Sequence, residues 1–206
     1  MALTKRLFLG SLVCGLLAGC GGSEWSTDYS DAITPETSAN WRVTGIEVIV
    51  PETLTISEKN VYRPDADIVW RGEPDGDRRA QISAIVTEAA QRGSAGLNGR
   101  KAVTLRVEMA QFHALSDIAR AKLKRSGVHN IMFTAEVLDA KSGQILAGPE
   151  FIKADLVAYT GPQAVEAEKE GQTQRVRIVN HLSAVFAGWL GTGPDTVRGT
   201  FKRLGR

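Results

Sequence analysis

Few residues in this chain combine the type and the spacing that chemistry needs. His113, His129 and His181 are its three histidines. A zinc site draws three or four nitrogen, sulfur or oxygen ligands to one point. No two of these histidines stand at helical ligand spacing, so they read as structural residues. Nucleophilic catalysis of the Ser-His-Asp kind would carry its serine in a Gly-x-Ser-x-Gly elbow, and the chain has none. The carboxylate pairs Glu166 with Glu168 and Asp65 with Asp67 fall in stretches that read as solvated loops. Gly93, Gly96 and Gly99 are evenly spaced, yet a phosphate cradle follows a strand and opens a helix. This run follows a helical pattern and opens a strand, as a plain connection does. The expectation is no catalytic residue, no metal ligand, no cofactor site and no enzyme, with a hydrolase as the minor alternative.

One thiol is placed differently. Lys5 and Arg6 precede an apolar run, Leu7 to Leu17, which leads into Leu17-Ala18-Gly19-Cys20. Charged, apolar and small parts in that order make a secretory signal. The run is too short to cross a bilayer, which takes roughly 20 apolar residues. The same small residues would also suit ordinary cleavage without a lipid. Small residues directly before a cysteine resemble the lipobox of bacterial, Gram-negative lipoproteins. That resemblance implies that residues 1–19 are removed and that Cys20, carrying acyl chains such as palmitate, becomes the first residue. Each buried methylene contributes about 0.8 kcal/mol, so one chain binds marginally and several hold firmly. Gly21 stands where an aspartate marks retention in the inner membrane of some of these bacteria. The resemblance therefore implies the periplasmic face of the outer membrane rather than the inner membrane. The partner it implies is the membrane itself, through the N-terminal lipid.

Composition agrees with an exported domain. The 206 residues less the first 19 leave 187, which suits one domain. All 23 acidic residues follow Cys20, whereas Lys5 and Arg6 leave with the leader, so the formal charge of +2 belongs to the precursor. The mature chain is near neutral, and nucleic acid is not an expected partner. Cys14 also leaves, so no pair remains for a disulfide. No second apolar stretch is long and uncharged enough to span a membrane.

The elements follow from periodicity. Residues 20–40 read as the lipidated cysteine and a flexible tether, since small polar residues dominate and such a stretch buries too little surface to order itself. Trp25 and Tyr29 interrupt it, to rest at the membrane interface or on the domain edge. The domain is expected over 41–191. Val43 to Val50 and Asp67 to Arg71 read as strands. Ile82, Ile85, Val86, Ala89 and Ala90 make a helical stripe, capped by Asp75 or Asp77 and stopped at Gly93. Lys101 to Phe112 and Asn130 to Asp139 alternate as strands, with a short helical insertion over 115–126 between them. A turn at 141–144 sends the chain back over 144–159, with Pro149 marking a bulge or an edge. Glu166 to Gly171 reads as a charged, solvated stretch or as the first turns of a helix. A second long helix runs from Thr173 with Val179, Leu182, Phe186 and Trp189 on one stripe, and a basic tail is expected over 192–206.

The expected fold is therefore α+β: a two-layer domain with a mainly antiparallel sheet of about four to five strands and two amphipathic helices on one face. That order of elements, Trp41 to Leu190, is similar to small α+β envelope lipoproteins, among them transport-auxiliary lipoproteins. The expected function is a membrane-anchored periplasmic lipoprotein, non-enzymatic, that acts as an interaction or assembly module of the envelope with an envelope protein partner. The alternative is an auxiliary that carries a lipid or small ligand between sheet and helices. The basic tail and the Arg120–Arg125 cluster read as solvated charge, with anionic headgroups as the other possibility.

Overall fold

The computed structural model describes residues 23–124 and 126–203. In chain order the strands are β1 Ser23–Asp28, β2 Trp41–Ile49, β3 Ile68–Val69, β4 Lys101–His113, β5 Val128–Asp139, β6 Ile145–Ala154, β7 Leu156–Val157 and β8 Gly199–Arg203. The helices are α1 Pro35–Ser38, α2 Arg78–Ser94, α3 Asp117–Lys122, α4 Pro162–Lys169 and α5 Gln174–Trp189.

Alternation builds the central strands. Val103, Leu105, Val107 and Met109 of β4 and Ile131, Phe133, Ala135 and Val137 of β5 are all buried. The intervening Thr104, Arg106, Thr134 and Glu136 face the other side and stay partly exposed. The buried face is covered by α2 and α5, whose Ile82, Ile85, Val86, Val179, Leu182 and Phe186 join it in one core. Each helix begins on a side-chain cap. Asp77 accepts from the Ala80 N–H in α2, and Thr173 accepts from the Val176 N–H in α5. Asp75, the other expected cap, instead pairs with Arg78.

The expectation of about four to five mainly antiparallel strands is overturned. Among the described residues the sheet has eight strands in the order β2-β4-β5-β6-β1-β8, with β3 on β4 and β7 on β5. It is mixed: β2 and β3 run parallel to β4, and the other pairs are antiparallel. The physical reason for the parallel pairs is α2. A parallel pair needs a crossover connection, and α2 carries the chain from β3 back to the start of β4. Two more strands lie where a tether and a tail were expected. β1 pairs with β6 and β8, in register Ser23 to Arg203 and Trp25 to Phe201. Thr27 and Tyr29 are buried. The polar sequence of β1 is ordered by backbone pairing, which composition does not reveal.

The charged stretch before α5 takes the helical alternative, as residues 162–169 form α4. One smaller expectation changes. Gly93 does not stop α2, which runs on to Ser94. It marks a close approach of two helices: a Cβ there would meet Phe186 Cβ and the Ser183 carbonyl oxygen at 2.6 Å. Pro149 lies where β6 and β5 slip out of register, Ala135 facing Glu150 and Val137 facing Ala147.

Register also defines two ends. β1 and β5 start at the same end where β4, β6 and β8 finish, because Thr27 faces Ala154, Met132 faces Lys153 and His113 faces Asn130. α3 and the β6–β7 connection lie at this end. The β5–β6 turn lies at the other.

Candidate functional site

The three histidines do not converge. His113 Nδ1 lies 3.2 Å from the Ala66 carbonyl oxygen at the end of β4. His129 and His181 belong to a separate polar centre, where the start of β5 meets α5, β1 and the β6–β7 connection. Sequence reading missed this centre, because its members are scattered along the chain.

Asp155 organises it. The Ser26 N–H donates to Asp155 Oδ2 at 3.1 Å, and Asn130 Nδ2 donates to Oδ1. The Thr27 hydroxyl donates to the Asp155 carbonyl oxygen at 3.0 Å, and His181 Nε2 lies 3.1 Å from the same hydroxyl oxygen. Arg177 Nη2 donates to the Val157 carbonyl oxygen at 2.8 Å, with its guanidinium 3.4 Å from the centre of the Tyr159 ring. His129 is wholly buried, and neither ring nitrogen has a hydrogen-bonding partner among the described residues.

Burial governs the protonation of the centre. It holds His129 down to about 3 and His181 to about 4, and the Arg177 charge pushes both the same way. Desolvation raises the Asp155 carboxyl above its usual range, although Asn130 and the Ser26 N–H oppose it. Both imidazoles are neutral at pH 7.

A hydroxyl beside an imidazole is the first requirement of nucleophilic catalysis. Here the Thr27 hydrogen is committed to a carbonyl oxygen, and Thr27 is 2% exposed. A substrate would have no approach. The arrangement ties β1 to α5 and β6. Elsewhere, no group of three or more His, Cys, Asp or Glu side chains converges to hold a metal among the described residues. The Gly93–Gly99 run is a tight connection: the Gly99 N–H donates to the Trp41 carbonyl oxygen at 2.7 Å, and a Cβ there would strike Asn40. Glu166 pairs with Lys169 and Glu168 with Arg120, while Asp67 is held by Thr55. No helix among the described residues is long and apolar enough to cross a membrane. Cys20, the residue expected to carry lipid, lies outside the described residues.

Two accessible features remain. A cleft of about 340 Å³ opens between β2 and the C-terminal half of α2, lined by Arg42, Thr44, Ile46, Thr87, Gln91 and Asn98. It flanks β2, which ends the strand order and has β4 on one side only, apart from a bridge between Arg42 and Asn98. The second feature is the end of the sheet where β1 begins.

These observations define an α+β domain with a largely buried polar centre, an open sheet edge and an adjoining polar cleft. The chain belongs to a family of unknown function, DUF6778, whose model matches residues 41–206. No curated protein matches it. Among solved structures, it is similar to a candidate lipoprotein from Caulobacter crescentus CB15, at 16% identity and a TM-score of 0.32, over 72% of this chain and 93% of that one. It is also similar to PelC dodecamers from Paraburkholderia phytofirmans in two crystal forms, one of them a point variant. The variant matches at 10% identity and a TM-score of 0.33, over 82% of this chain and 98% of that one. The other form matches at 10% identity and a TM-score of 0.32, over 83% and 96%.

Proposed function

We propose that the protein is a lipid-anchored lipoprotein of the bacterial envelope. It faces the periplasm, at the outer membrane rather than the inner, and acts as a non-enzymatic interaction module. The observation that carries the reading is the leader ending in Leu17-Ala18-Gly19-Cys20. Intact-mass analysis of protein extracted from membranes tests it. The expected species begins at Cys20 and carries acyl chains. A free thiol at Cys20 or a retained leader refutes the anchor.

The partner surface in this reading is the open edge of β2. An added strand would continue the sheet through main-chain hydrogen bonds, with side-chain pockets setting preference. The occupant is an extended segment of an envelope protein, whose side chains would enter the cleft beside Thr44. A photo-crosslinker at Thr44 is expected to capture such a partner, whereas one at Phe151, half exposed on β6, is not. Equal capture at both positions counts against the edge.

The cleft volume also falls within the range of small-ligand sites, which runs from about 300 to 1,000 Å³. It favours the carrier reading only in size. Such sites are mostly apolar, and Arg42, Thr44, Thr87, Gln91 and Asn98 give this one a polar wall. Behind it, Trp70, Phe112, Phe133, Phe186 and Trp189 are buried between sheet and helices. Native mass spectrometry showing a stoichiometric lipid or small molecule would restore the carrier.

A further inference from the structure

Gly21 and Gly22 alone separate Cys20 from the first residue of β1. Three Cα steps of at most about 3.8 Å hold Ser23 within about 11 Å of the anchored residue. The sheet therefore begins at the bilayer, with no long spacer. Register determines what else is there. Ser23 pairs with Arg203 and Glu24 with Lys202. Arg203 Nη2 donates to the Ala158 carbonyl oxygen, and the Gly161 N–H donates to the Arg120 carbonyl oxygen at 2.8 Å. The two basic segments that lie far apart in the sequence, the tail and α3, thus lie at the same end of the domain, the one nearest the anchor.

The loop between β2 and β3 packs against the same end. Ser116 donates to the Val61 carbonyl oxygen at 2.6 Å, and the Ile118 N–H donates to Asn60 Oδ1 at 2.8 Å. The loop reads Lys59-Asn60-Val61-Tyr62-Arg63, and it exposes Val61 and Tyr62 to 45% and 55%. Exposed apolar side chains thus stand between two cations in this loop. A membrane interface favours both kinds of residue. Charge pairing sharpens the contrast. Among the described residues, Glu58 and Asp117 pair with Arg71, Glu168 with Arg120 and Glu166 with Lys169. Lys59, Arg63, Lys122 and Lys124 are exposed and have no acidic side chain within ion-pair distance among those residues. Glu24, Asp65 and Glu170 are exposed acids at the same end and oppose them.

We propose that this end is a docking surface for the anionic phospholipid headgroups of the bilayer that holds Cys20. Val61 and Tyr62 enter the interface, Lys59, Arg63, Lys122 and Lys124 meet phosphates, and the domain stands in one orientation. The proposal rests on the anchor proposed above. Its consequence is that the β5–β6 turn points into the periplasm, about 40 Å away along the 12 residues of β5.

The test uses the full, processed protein in vesicles that carry an acceptor dye on the headgroup. Donor dyes go on Val165→Cys, exposed on α4, or on Ser142→Cys in the β5–β6 turn. In phosphatidylethanolamine vesicles with about 30 mol% phosphatidylglycerol, energy transfer from position 165 should exceed that from 142 several-fold. The ratio should fall toward one on phosphatidylcholine, and in a variant combining Lys59→Gln, Arg63→Gln, Lys122→Gln and Lys124→Gln with an unchanged circular dichroism spectrum. Equal transfer from both positions in an acylated protein overturns the docking surface and leaves the anchor standing. A several-fold ratio that persists on phosphatidylcholine overturns the recognition of charge. An unacylated Cys20 removes both.

Discussion

Acid should unfold this protein through two imidazoles, one wholly and one partly buried. His129 and His181 are held neutral by burial and by the Arg177 charge, down to about 3 and about 4. In the unfolded chain both return to about 6.5. A base whose folded value is depressed binds its proton more readily unfolded, so its contribution to stability is complete above about 6.5 and is lost as pH falls toward the folded value. Each histidine gives up about 1.4 kcal/mol per pH unit in that window. Between pH 7.5 and 5.5 the pair should remove roughly 2–3 kcal/mol, a large share of the 5–15 kcal/mol typical of a domain. The groups around them act in both directions. Arg177 and Arg120 add to the penalty on a charged His129. Asp155, whose folded value is raised by burial, gains protons in the folded state and offsets part of the loss. Urea unfolding followed by fluorescence at pH 7.5, 6.5 and 5.5 measures it. The midpoint should drop by about 1 M over that range. His129→Leu and His181→Gln should each remove about half of the drop, and the double variant nearly all of it. A midpoint unchanged between pH 7.5 and 5.5, or a drop that survives intact in the double variant, refutes the assignment.

Packing predictions accompany it. Gly93→Ala places a methyl group 2.6 Å from Phe186 Cβ and the Ser183 carbonyl oxygen; it should push α2 from α5 and destabilise by about 1–3 kcal/mol, read as a lower urea midpoint. Trp189→Ala empties a side chain that is 1% exposed at the end of α5 and should cost about 3–5 kcal/mol by the same measure. Deleting residues 198–206 removes the five-rung pairing of β1 with β8 and leaves only Thr27–Ala154 and Asp28–Lys153. Amide exchange should then accelerate at Trp25, and stay unchanged in the centre of β5 and at Ser26, whose N–H donates to Asp155.

Much of the domain was legible because its signals are local. Ile82, Ile85, Val86, Ala89 and Ala90 report a helix within three turns, and Val103 to Met109 report a strand within seven residues. Those readings match α2 and β4. β1 and β8 gave no such signal. Ser-Glu-Trp-Ser-Thr-Asp has one large apolar residue in six, and what orders it is backbone pairing with segments more than 120 residues away. The parallel placement of β2 and β3 on β4 was hidden for a related reason. Local patterns show that strands exist, while the order in which they pair depends on how α2 crosses the sheet.

By itself the amino-acid sequence determined the amphipathic stripes of α2 and α5 and carried the reading of a leader before Cys20, since each depends only on neighbours a few residues apart. Only the tertiary structure decided that the sheet begins three residues after Cys20, that His129, His181 and Asp155 share one polar centre, and that Lys122, Lys124 and Lys202 gather at the same end as Tyr62. Proximity across a sheet is set by register between distant strands, and no short window of sequence contains it.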